Sequence, residues 1–169
     1  MFGSLARYRP AWLVVGLAAG LALGAVLPHA PLHATATDRQ DNFAIATGPV
    51  DESLEAIFML DFLSGTLKSY VISTVTGKFT AYYERPVLPD LGVDATKNPK
   101  YLVVTGGANL RRSGQIQPSL SVCYVAELTS GKMAVYAIPW SRGQANASQP
   151  IKSTFLLLDV VQFRTNVVR

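Results

Sequence analysis

The sequence predicts an all-β domain behind a single amino-terminal transmembrane helix, and three observations carry that prediction. Residues 10–37 hold no Asp, Glu, Lys or Arg, and residues 11–27 are continuously apolar or Gly. From residue 42 onward the pattern changes to short β-branched and aromatic runs between turn residues, and no stretch keeps a helical period for three turns. One turn motif occurs three times: Ser or Thr before a Gly, a large apolar residue two positions after it, and Tyr five after it. The expected architecture is about eight short antiparallel strands in two four-stranded meanders, arranged as a sandwich or a flattened barrel.

The first element is residues 11–28, expected as a transmembrane helix or signal anchor that follows a cytoplasmic amino terminus of residues 1–10. Its 17 uninterrupted apolar residues make roughly 25 Å of helix at about 1.5 Å per residue, slightly short of a hydrocarbon core of about 30 Å. Arg7 and Arg9 precede it and no basic residue follows until Arg39, so the positive-inside rule keeps the amino terminus in the cytoplasm and sends the remainder across. The competing reading is a secretory signal cleaved after Ala36, because Ala34-Thr35-Ala36 has the A-x-A form. Gly16, Gly20 and Gly24 recur every four residues and mark one helix face on which two membrane helices pack closely.

Residues 29–41 read as a polar linker, and residues 42–169 as the β-domain. Within it the turn motif is Ser64-Gly65-Thr66-Leu67-Lys68-Ser69-Tyr70, then Thr76-Gly77-Lys78-Phe79-Thr80-Ala81-Tyr82, then Ser130-Gly131-Lys132-Met133-Ala134-Val135-Tyr136. Gly accepts the positive φ that such turns require. Ahead of the first and last turns, Phe58, Leu60 and Asp61 match Tyr124, Ala126 and Glu127, and Thr47-Gly48 matches Thr105-Gly106 further upstream. The domain therefore reads as two copies of one unit, residues 42–84 and 100–162. Strands are expected at about 42–47, 54–62, 66–73 and 78–84, then at 100–105, 119–128, 132–138 and 153–162. Residues 85–99, with three prolines, join the copies. Residues 155–161, interrupted only by Asp159, read as a strand buried on both faces at the centre of the core.

These meanders resemble single blades of β-propellers, in which an acidic residue often precedes a Thr-Gly or Ser-Gly turn. A propeller takes about four to eight blades, so two units do not close one alone. Either the two sheets pack on each other, or several chains complete a ring.

The chemistry-bearing residues are few. One cysteine excludes an internal disulfide and any multi-Cys metal centre, and Cys123, in an alternating apolar run, reads as a small buried hydrophobe. Both histidines, His29 and His33, lie in the linker, so a Ser-His-Asp or Cys-His constellation has no base inside the domain. Asp51, Glu52 and Glu55 cluster in one loop, and Asp61 and Glu127 occupy equivalent positions; as carboxylates they are candidates for acid–base chemistry or plain turn residues. Arg111 and Arg112, among small residues in the segment 105–114, are candidate contacts for an anionic ligand. The loop 141–150 carries an Asn146-Ala147-Ser148 sequon. A net charge of +4, falling to +2 beyond residue 9, is too small to argue for nucleic acid.

The run Leu60-Asp61-Phe62-Leu63-Ser64-Gly65, with residues 101–112 and 124–140, resembles short proteins of planctomycete-type bacteria that join one amino-terminal membrane segment to a domain with a Leu-Asp-Phe-Leu-Ser/Thr-Gly run. That resemblance implies no activity, since the group has no assigned function. The expectation is a membrane-anchored, non-catalytic interaction or structural module. It needs no cofactor or metal, and its partners are itself, as a homo-oligomer, or a larger envelope complex. The alternative is a binding module for an anionic envelope polymer.

Overall fold

Alternating apolar residues between glycine turns fold here into two antiparallel meanders, seen in a computed structural model that describes residues 9–26, 37–111, 117–141 and 150–164. The chain divides into two units, residues 1–32 and 33–169. In the first, helix α1 spans Arg9–Val26, and its described side chains, residues 12–22, are all exposed.

The expected transmembrane helix is not supported. No helix among the described residues is long and apolar enough to cross a membrane. Helix α1 has 18 residues beginning at charged Arg9, about 27 Å of rise against a hydrocarbon core of about 30 Å. A Cβ added at Gly16 or Gly20 meets nothing within 4 Å, so neither glycine is packed against a described neighbour. The surroundings of Gly24 and the Ala34–Ala36 site lie outside the described residues.

In the second unit one sheet has the order β1-β2-β3-β4-β5-β9, from β1 (Thr37–Arg39), β2 (Phe43–Pro49), β3 (Glu55–Asp61), β4 (Thr66–Ile72), β5 (Phe79–Pro86) and β9 (Ile151–Thr154). The other has the order β10-β8-β7-β6, from β6 (Tyr101–Gly107), β7 (Gln117–Glu127), β8 (Lys132–Trp140) and β10 (Leu156–Gln162). Each contains a four-strand meander, β2 to β5 and β6-β7-β8-β10. Gly65, Gly77 and Gly131 close their hairpins with φ of 61°, 66° and 69°, the left-handed region that the turn motif demands of glycine.

Three expectations about strands need correction. The linker holds a short strand: β1 pairs with β2, Asp38 opposite Ile45. The strand expected at 153–162 is two strands in different sheets, broken at Phe155. β9 adds parallel to β5, and β10 adds antiparallel to β8. Residues 155–161 are not buried on both faces: β10 is an edge strand, with Leu158 and Val161 40% and 49% exposed, and only Phe155 is fully enclosed. An apolar run cannot by itself distinguish a central strand from an edge strand whose outer face is apolar.

Both sheets contribute to one core, with Phe58, Leu60, Leu67 and Tyr83 from the first and Tyr101, Val125, Tyr136 and Ile138 from the second. They come closest along β2 and β6. There the Thr105 hydroxyl donates to the carbonyl of Thr47, and the amide of Leu120 donates to the carbonyl of Val50 at 3.0 Å. Gly48 permits that approach, since a Cβ would stand 2.6 Å from Ser121 Oγ and 2.9 Å from its Cβ. Gly48→Val is therefore expected to push the sheets apart and destabilise the domain by about 1–3 kcal/mol in urea unfolding. An unchanged midpoint would mean that the sheets accommodate the side chain.

At the far side of the core the connection between the meanders supplies the filling. Helix α2 (Leu88–Leu91) buries Leu91, and a 3₁₀ turn follows at Ala95–Lys97. Asp90 on α2 accepts two hydrogen bonds from Arg85, at 2.7 and 2.9 Å, and one from the Tyr136 hydroxyl at 3.1 Å. The Arg85 bonds hold the Asp90 carboxyl below its ordinary range, against the opposing effect of burial. Because Arg85 also donates to the carbonyl of Phe155 at 3.2 Å, it ties the first sheet, α2 and the crossing point together. Arg85→Ala strands a partly buried carboxylate and is expected to lower stability by about 2 kcal/mol, read as a shift in thermal midpoint.

Candidate functional site

The side chains left to meet other molecules are those on the outward faces of the two meanders, because side chains alternate across a strand and the inward set is used up in the core. On the second sheet the outward rows follow from the register: Leu102 beside Ala126, Met133 and Val161, and Val104 beside Tyr124, Val135 and Asp159. Leu102 and Val104 are 49% and 52% exposed. Asp159 is the one carboxylate in those two rows. Polar rows are what a solvated sheet face ordinarily presents, whereas these two rows are apolar but for Asp159.

The outward face of the first sheet is mixed. Phe43, Ile72 and Phe79 are exposed, and Ile45, Ile57 and Met59 are half-buried. Tyr70 and Tyr82 stand opposite each other in register, their rings 5.5 Å apart at 89°, with Phe79 5.9 Å from Tyr70. Tyr70 and Tyr82 form one wall of a cleft of about 230 Å³ completed by Lys68, Tyr83, Glu84, Lys152 and Ser153. The Tyr82 hydroxyl is turned back onto the carbonyl of Phe79, at 3.0 Å. The arrangement is an aromatic shelf with two ammonium groups and the Glu84 carboxylate beside it, suited to recognition by stacking.

Of the five carboxylates singled out in the sequence, Glu52 and Glu55 are exposed, and Asp51, Asp61 and Glu127 serve the fold. Asp61 accepts from the amides of Leu63 and Ser64, which lock the first turn. Glu127 does the same for the last turn, accepting from the amides of Thr129 and Ser130 at 2.9 and 2.6 Å, from the Thr129 hydroxyl, and from the amide of Lys100 at 3.1 Å. Burial raises the Glu127 pKa, but those donors outweigh it and hold the group at about 2. Asp51 accepts from Ser53 and Leu54 within its loop and from the Trp140 indole N–H at 3.0 Å. Each is therefore an ionised hydrogen-bond acceptor. Asp61 and Glu127 end different sheets and are not brought together.

Arg111 is exposed beyond β6, and Arg112 lies outside the described residues, as do His29, His33 and the sequon. Cys123 is fully buried in the core, and desolvation pushes its thiol up to about 12, so it behaves as a hydrophobe. Among the described residues no group of three His, Cys, Asp or Glu is placed to hold a metal. Sequence reasoning missed the Tyr70–Tyr82 shelf and the Arg85–Asp90 pair. The shelf was within reach, since Tyr70 and Tyr82 are matched positions of the motif, but only the register puts them side by side.

No protein-family model, curated protein or solved structure matches this chain.

Proposed function

We propose that the chain is a protein-interaction module that works by surface contact, as a structural or accessory component of an assembly. The single observation that carries this reading is the apolar outward face of the second sheet around Leu102, Val104, Met133 and Val161. Exposed apolar side chains in adjoining rows cost solvation free energy unless a partner covers them. The aromatic shelf on the first sheet adds a second surface of the same kind.

The test is site-specific photocrosslinking in the native host, with the crosslinker placed at Val104 and, as control, at exposed Glu52. A discrete protein adduct from Val104 and none from Glu52 is expected. Adducts from neither position would remove the reading, because the face would then be bare in the cell.

A further inference from the structure

The two meanders share one register. Leu60 pairs with Leu67 as Ala126 pairs with Met133, Thr47 with Ile57 as Thr105 with Cys123, and Phe58 with Ser69 as Tyr124 with Val135. All three pairs are equivalent under the sequence match of the two copies. Yet the matched positions lie on opposite faces. Phe58 and Leu60 are fully buried between the sheets, whereas Tyr124 and Ala126 point outward; Tyr136 is buried, whereas Tyr70 points outward.

Because side chains alternate with period two, this inversion means that the units are stacked face to back, as successive members of a repeat are. Two units facing each other across a two-fold axis would bury the same positions twice. A face-to-back stack uses one kind of contact throughout, and after two units each end still presents exposed apolar side chains, Leu102, Val104 and Val161 on the second meander and Phe43, Ile72 and Phe79 on the first. The outward face of the second meander corresponds, position by position, to the face with which the first meander covers the second. The outward face of the first meander corresponds to the face that is covered.

We infer that the partner of these faces is a second copy of the same chain, bound head to tail, the outward face of the second sheet of one copy against the outward face of the first sheet of the next. This rests on the interaction reading above and names its partner. Two observations support it. The outward face of the second sheet lacks the polar surface with which a repeat array ordinarily ends, Asp159 being the one carboxylate in its two rows. The internal contact between the meanders is itself the template for the contact between copies.

The size of the contact favours a closed assembly. At about 4.8 Å between strands and 3.3 Å per residue, four strands of seven residues cover roughly 440 Å² in plan, about half of the ~800 Å² that each partner gives to a standard interface. One such contact is weak. A heterologous contact that closes gives every copy two of them, and a ring of about four to eight meanders needs about two to four copies.

The full chain is examined by light scattering and native mass spectrometry as wild type, as Val104→Arg, which blocks one face, and as Phe79→Arg, which blocks the other. Leu102→Lys and Tyr70→Glu repeat the test should either variant fail to fold. The wild type is expected as one discrete species of two to four copies, and each variant as a monomer. Mixing the two blocked variants at high protein concentration, where a single weak contact becomes populated, is expected to give a one-to-one heterodimer and nothing larger, since one intact face of each kind remains. Gly20→Leu, on helix α1, is expected to leave the wild-type assembly unchanged.

A monomeric wild type, a blocked variant that still self-associates, a mixture that stays monomeric, or loss of assembly in Gly20→Leu would each overturn the head-to-tail proposal. The photocrosslinking result separates the two failures. A foreign adduct at Val104 with a monomeric chain keeps the interaction module and removes the second copy; no adduct removes both.

Discussion

Phe155→Ala is expected to produce the largest loss of stability of any single substitution, about 3–5 kcal/mol, measured as a fall in the urea midpoint. Phe155 lies in the one-residue step between β9 and β10 and is 1% exposed. Its ring centroid is 6.1 Å from that of Phe58, 6.1 Å from Tyr83 and 6.4 Å from Tyr136, so it meets aromatic rings from both sheets. Removing it opens a cavity among three buried rings that the two sheets contribute. The backbone there is held as well, through the bond from Arg85, so the step cannot simply collapse into the space. Phe155→Leu should recover most of the loss. A cost under about 1 kcal/mol for the alanine variant would show that the two sheets do not depend on this side chain for their packing.

Acidification is expected to act through Glu127, with a sign that follows from the depressed pKa. The folded group titrates at about 2 against an ordinary 4.5. A carboxylate lowered on folding contributes stability that is fully present above its unfolded pKa and is lost as pH falls toward the folded one. The window is therefore about pH 5 down to pH 2, and the contribution at neutral pH is at most about 3 kcal/mol. Glu127→Gln cannot be ionised and should be less stable than wild type at pH 7 by about 2 kcal/mol, with the gap closing as pH approaches 2. Parallel urea titrations of the two proteins at pH 7, 4 and 2.5 decide it. A gap that does not narrow would mean that the shape of the side chain, and not its charge, holds the last turn. Asp61→Asn should show a weaker form of the same effect, because Asp61 is only half-buried.

Much of the β-domain was legible in the sequence because its determinants are local. Gly65, Gly77 and Gly131 announced three hairpin turns, and all three adopt positive φ. Leu67, Ser69 and Val71 alternate with Thr66, Lys68 and Tyr70, and the buried face follows that alternation. The acidic residue before the first and last turns was visible as a repeated position, and its capping role needed only the two amides beyond it. The amino-terminal helix went the other way: its composition argued for a membrane span, and the helix that forms is not long and apolar enough to be one.

The outward faces were less legible. Arg111 and Arg112 stood out as charges among small residues, but a charge in a loop says nothing about what approaches it. The apolar face of the second sheet was hidden because Leu102, Val104 and Val161 belong to runs that read equally well as core. Which side of a strand is covered depends on where the next sheet lies, and that is not written in the strand.

By itself, the sequence determined the three glycine turns and the period-two alternation of the strands that flank them, since glycine at positive φ and side-chain alternation act over a few residues. Tertiary structure alone decided the stacking. It broke the last apolar run at Phe155 and gave its halves to different sheets, set Gly48 against Ser121, and turned matched positions such as Tyr70 and Tyr136 to opposite faces. The physical reason is that a two-faced sheet buries whichever face another sheet covers, and the identity of that covering sheet is a long-range choice made by packing.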